Sequence, residues 1–468
     1  MNGQKRPSVE PSARQRKHAA DVLPQSVRAW SRRVAVPVAS YRLSDIGLVS
    51  ALLLVTARVP VADAHLPSLF GKEYIRAEQL ADVQPAANIP ALDIEAGDPG
   101  PYEEQLEDLA LRDGPYASGL ADPLIGVAQI YKQRGDYKDA IEAYRRALHV
   151  IRVNDGLRSE RQLPLLKDLM TVYRIEGDGD ALDDAYHYYF NVHGNGHPPY
   201  TESSIAATLE YMDWQREAFG IGMESSTEAR ARSVQAYLRN ARIIEEMAAQ
   251  PSVDVNWYEK IVMSQMANLY LILGEDMEEY LAVGLPSGAM SGAEARSEGY
   301  VRDRVTVIQQ SGVKIGRRLL QDLIDRNEKA PAIERAGLYL ELGDWNQWNG
   351  SLRQANEAYT VVESLLQTED GALLDDWLSE PMELPDERAL WRSSAGLSTE
   401  QHPVFTVRYD VDEKGNVRNV EILSPEEGQG WPTQRLKRML RDTHFRPRFS
   451  GGQPLSMTGV QRQYQVLD

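Results

Sequence analysis

The chain has 468 residues, with 51 Lys and Arg against 69 Asp and Glu, for a formal net charge of −18. A composition 42% apolar and 26% charged suits a globular protein long enough for several domains. It excludes collagen-like, broadly disordered and polytopic membrane chains. The lack of cysteine removes disulfides, thiolate metal sites, iron–sulfur clusters and cysteine nucleophiles, and the acidic balance argues against nucleic acid as a partner.

The N-terminal region carries Lys5, Arg6, Arg14, Arg16, Lys17, Arg28, Arg32, Arg33 and Arg42, opposed only by Glu10 and Asp21 within the first 43 residues. An apolar run over residues 46–57 (IGLVSALLLVTA) follows, and then Ala62-Asp63-Ala64 places small residues at a cleavage position. Basic start, apolar centre and small-residue exit form the pattern of a secretory signal. Twelve helical residues span about 18 Å, against the ~30 Å of a bilayer core. The expectation is export to the periplasm, with residues 1–64 as signal and basic extension, 65–100 as linker, and no membrane span in the mature form. The alternative keeps 46–57 as an inner-membrane anchor bearing a periplasmic domain.

Residues 124–150, LIGVAQIYKQRGDYKDAIEAYRRALHV, show the clearest repeat unit. Ala128 and Tyr131 precede Gly135-Asp136-Tyr137, and Ala140, Tyr144 and Ala147 follow. This spacing predicts two helices turned at Gly135, with small residues at the helix contact and tyrosines filling the space between hairpins. A second copy over 165–192 sets Tyr173 and Gly177 in the places of Tyr131 and Gly135. Its displacement predicts an extra loop at 152–157. Weaker copies cover 205–219 with 228–249, then 258–274, then 333–367, the last with a loosened turn at Gly343-Asp344-Trp345. Residues 281–300 read as a long loop before a helix over 301–326.

These positions resemble the tetratricopeptide repeat family. The resemblance implies an α-solenoid over 101–375 whose groove takes peptides or helices of partner proteins.

After a linker over 376–398, the pattern changes. Residues 404–411 alternate, with Phe405, Val407, Tyr409 and Val411 on one face, and predict a half-buried strand. Asp412-Glu413-Lys414-Gly415 signals a turn into a partner strand over 417–423. A helix over 432–443 with Leu436, Met439 and Leu440 inward, and a last strand over 457–466, complete a small α+β unit in strand–strand–helix–strand order. The fold class is therefore mainly α with this unit at 399–468. Residues 405–411, Asp412-x-x-Gly415-Asn416-Val417, Phe445-Arg446-Pro447-Arg448-Phe449, Gly452-Gln453-Pro454 and Tyr464 resemble the C-terminal domain of the TonB energy-transducer family. That resemblance implies a periplasmic domain that pairs a strand edge with a peptide of an outer-membrane receptor.

The basic side chains Arg435, Lys437, Arg438, Arg441, Arg446 and Arg448 form a candidate docking patch for an acidic partner. His187, His193 and His197, near Asp183 and Asp184, are the one metal-like cluster, but spacings of six and four across Gly194-Asn195-Gly196 do not share a helix face. No metal, cofactor or catalytic residue is expected, and the chain reads as a non-enzymatic scaffold for envelope or periplasmic proteins. One alternative is an inner-membrane-anchored transducer serving an outer-membrane receptor; another is a metal-dependent enzyme on the His187–His197 segment.

Overall fold

Small residues at fixed offsets decide where these helices turn and touch. The computed structural model describes residues 74–76, 97–220, 226–250, 253–274, 292–367, 370–385, 404–423 and 431–466. These all fall in one contact unit, 59–468. The expected export signal, most of both expected linkers and residues 281–291 of the expected loop lie outside the described residues. The chain is mainly helical, with a small sheet near its C-terminus.

Helix α1 (Gly100–Asp113) leads to α2 (Ala121–Arg134) and α3 (Tyr137–Asp155). Gly135 ends α2 in the left-handed region at φ 82°, where its N–H bonds Lys132 and the next N–H reaches back to Tyr131. A Cβ would strain that conformation. Ala128, Ala140 and Ala147 are fully buried where α2 and α3 pack, and Tyr144 fills the core beside them.

The second hairpin, α4 (Leu163–Glu176) and α5 (Gly179–Val192), repeats the device with Gly177. Of the residues 152–157 expected to form an extra loop, 152–155 are helical and only Gly156 and Leu157 leave the helix. Helix α3 continues through Asp155 and Gly156 closes it, so most of the insertion lengthens a helix.

Next come α6 (Glu202–Gly220), α7 (Ser226–Ala248) and α8 (Val255–Gly274), each packed on its successor, with α6 also touching α8. Helix α9 (Gly292–Arg326) starts nine residues before the predicted boundary, so 292–300 is helical and not loop. Helices α10 (Ala332–Trp348) and α11 (Leu352–Leu366) form the most closely associated helix pair.

The predicted turn at Gly343-Asp344-Trp345 is a further correction. Helix α10 runs straight through it, and Gly350 (φ 69°) makes the turn. Gly343 is small for another reason: a Cβ there would lie 2.3 Å from Cε1 of Tyr359 on α11. The short α12 (Gly371–Leu378) then covers this pair.

The sheet holds β1 (Tyr74–Arg76), β3 (Val404–Val411), β4 (Val417–Ile422) and β8 (Met457–Val466), ordered β1-β8-β3-β4 with antiparallel pairing throughout. Phe405, Val407, Tyr409 and Val411 point inward as the alternation predicts. They meet Leu436, Met439 and Leu440 of α13 (Trp431–Asp442). Two short pairs lie outside the predicted order. β2 (Met382–Glu383) pairs with β5 (Phe445–Arg446), and β6 (Arg448–Ser450) pairs with β7 (Gln453–Leu455). Among the described residues no helix is long and apolar enough to cross a membrane.

Candidate partner-binding surfaces

The basic cluster divides by position. Arg438, Arg441 and Arg448 are exposed, while Arg435 and Lys437 are half-buried. Arg446 is only 1% exposed and leaves the patch altogether. It sits on β5, between the sheet unit and α10, where Nη1 donates to Asp344 Oδ2 at 3.2 Å. Asp344 Oδ1 accepts from the Tyr359 hydroxyl at 2.9 Å. Burial raises the Asp344 carboxyl, against the pull of Arg446 and the Tyr359 hydrogen bond. A buried charge needs such partners, and Arg446 finds them inside the chain.

The surrounding contacts make the Phe445–Gly452 stretch a structural joint. Gln347 Nε2 on α10 donates to the carbonyls of Lys414 (2.8 Å) and Phe445 (3.1 Å). Phe449 packs edge-on to Tyr359, with ring centroids 5.6 Å apart, in a core shared with α10, α11 and α12. Burying such a ring contributes about 2–3 kcal/mol. The Glu363 carboxylate on α11 accepts the backbone N–H groups of Gly451 (2.7 Å) and Gly452 (2.8 Å). Trp348 Nε1 donates to the Pro385 carbonyl at 2.7 Å. The segment that carries the motif therefore fastens the sheet unit to the last helical hairpin.

The sheet presents two rims. β4 forms one. On the other, β1 pairs with β8 only at Tyr464–Val466, in the register Tyr74↔Val466, Ile75↔Gln465 and Arg76↔Tyr464. No described strand lies beside the remainder of β8, 457–463, on that side. Unpaired backbone donors and acceptors along such an edge can take an added strand. Near its end, Tyr464 donates to buried Glu383 at 2.5 Å and shares a 2.8 Å hydrogen bond with Tyr409, fixing the strand from beneath. The predicted strand edge is thus partly occupied by the chain's own N-terminal strand, which no periodicity signals in three residues.

Successive helical hairpins are laced by polar pairs. Lys132 on α2 meets Asp168 on α4 at 2.7 Å, and Lys167 and Arg174 on α4 meet Glu210 and Glu217 on α6. Burial of the first residues of these ladders is partial, so each pair contributes little alone but fixes the register between hairpins.

The three histidines do not converge. His187 meets the Tyr211 hydroxyl (Nδ1, 3.0 Å), His197 Nδ1 meets Arg242 Nη1 (2.7 Å), and His193 stacks edge-on to Tyr189. Each imidazole has a different neighbour, so the donor set required by the metal-enzyme reading is not assembled. Among the described residues no group of three His, Cys, Asp or Glu side chains could hold a metal ion.

No protein-family model matches the sequence, and comparison with curated proteins finds no match.

Proposed function

We propose that the chain is an exported periplasmic scaffold that binds envelope proteins without bond chemistry. The helical hairpins serve as a tetratricopeptide-like array, and the C-terminal sheet as a TonB-C-like unit. Partners engage the array surface and add a strand to β8. The supporting observation is β1 itself, because a strand from a remote part of the chain already extends β8 in antiparallel register.

A photo-crosslinking residue at exposed Gln461 tests the strand-addition half of this reading. Adducts to an envelope protein in cells, lost when β8 is interrupted by Gln463→Pro, are expected. Absence of any adduct overturns it. N-terminal sequencing of the mature protein tests the export half: a start at His65 supports it, and retention of residues 46–57 overturns it in favour of the anchored transducer.

A further inference from the structure

A cleft of about 320 Å³ opens between α5 and α7 above α6, lined by His187, Tyr211, Gln215, Arg232 and Arg239 among others. That is near the lower end of small-ligand pockets. Its charges do not cancel. Arg232 is held bidentate by Asp183, Nη1 to Oδ1 at 2.8 Å and Nη2 to Oδ2 at 3.1 Å, and Asp183 also accepts from Trp214 Nε1 at 2.7 Å. The Asp183 carboxylate is therefore committed to Arg232 and to Trp214.

Arg239 has no carboxylate partner among the described residues. Its guanidinium lies over the rings of Phe190 (5.5 Å) and Tyr211 (5.3 Å). Aromatic faces fix the plane of a guanidinium while leaving its N–H edge available. Gln215 adds a donor. Its Oε1 accepts from Arg232 Nη1 at 2.9 Å, which sets the amide's orientation and leaves buried Nε2 without a partner. A buried donor without an acceptor is costly, and a ligand oxygen could meet that need. His187 adds no charge at neutral pH, because burial pushes its imidazole down, and Arg239 and Arg232 push the same way against Asp183. The lining carries net positive charge within a chain of net −18.

We propose that this cleft binds a small oxyanion, a carboxylate or phosphate group of a small molecule, with Arg239 as its main charge partner. Titration calorimetry of the full chain with inorganic phosphate and with succinate, at constant ionic strength in chloride, tests it. Saturable one-site binding of either probe is expected, weakened at least tenfold in Arg239→Gln and retained in part in Arg239→Lys. Arg161→Gln, which removes an exposed surface cation, is expected to bind as the parent does. Binding of phosphate alone or of succinate alone assigns the oxyanion class. No saturable binding of either, or binding unchanged in Arg239→Gln, overturns the proposal. Should Arg239→Gln lose its helical circular dichroism, Arg239→Lys and competition between the two probes decide the outcome.

Discussion

Arg446 on β5 and Asp344 on α10 form a buried ion pair at 3.2 Å, across the joint between the sheet unit and the last helical hairpin. Removing the cation leaves the part-buried Asp344 carboxylate with the Tyr359 hydroxyl as its one hydrogen-bond partner among the described residues. Arg446→Ala is expected to cost about 3–5 kcal/mol, and Arg446→Met less, because an apolar replacement avoids part of the packing loss. Urea unfolding followed by tryptophan fluorescence measures both. Equal and negligible losses would show that the pair does not hold the joint.

Gly343 carries the α10–α11 contact through its lack of a side chain. Gly343→Ala drives a methyl into the Tyr359 ring, which also anchors Phe449 and Asp344. A loss of about 1–3 kcal/mol is expected in the parent, and a much smaller one when the same substitution is made in Tyr359→Leu. A double-mutant cycle by chemical denaturation checks the coupling.

Glu341, one turn before Asp344, is pushed up to about 8 by burial, with Asp344 repelling it and Arg446 pulling it back. Its ordinary value is 4.5. The folded state thus binds an extra proton between these values. Its contribution is intact below 4.5 and is lost as pH rises through about 8. Glu341→Gln is expected to raise Tm by about 2–4 °C at pH 8.5 and to leave it unchanged at pH 4.5. Burial lowers His187 and His193, so those groups weaken the fold on the acid side. Comparing variant with parent at each pH cancels that opposing trend.

Glu363 holds two consecutive glycine N–H groups with one carboxylate. Glu363→Ala is expected to speed hydrogen exchange at Gly451 and Gly452 and to cost about 1–3 kcal/mol. Glu363→Gln keeps one acceptor oxygen and should lie between. Unchanged exchange in Glu363→Ala would show that β6–β7 stands without the contact.

Local signals carried the hairpins well. Ala128, Gly135, Ala140 and Ala147 set helix contacts and turns within thirty residues, so spacing alone exposed them. The alternation at 405–411 likewise predicted the buried face of β3. Gly343 misled for a physical reason: a helix glycine that makes room for a neighbouring ring looks, in sequence, like one that ends a helix. Arg446 misled similarly, because its partner lies on α10, far away in sequence, and a charge run gives no sign of which member turns inward. The His187–Arg239 cleft was legible only in part. His187 drew notice for its neighbours in sequence, whereas Gln215, Arg232 and Arg239 come from two later helices and carry no shared motif.

The pairing of Tyr74 with Val466 has a bearing on the order of assembly. The helical hairpins rest on near neighbours and can form while the ribosome is still at work. The β1 segment is made well before the partner strand with which it pairs. Until synthesis reaches β8, that segment lacks its described strand neighbour, and a chain cut short before residue 464 would never supply it.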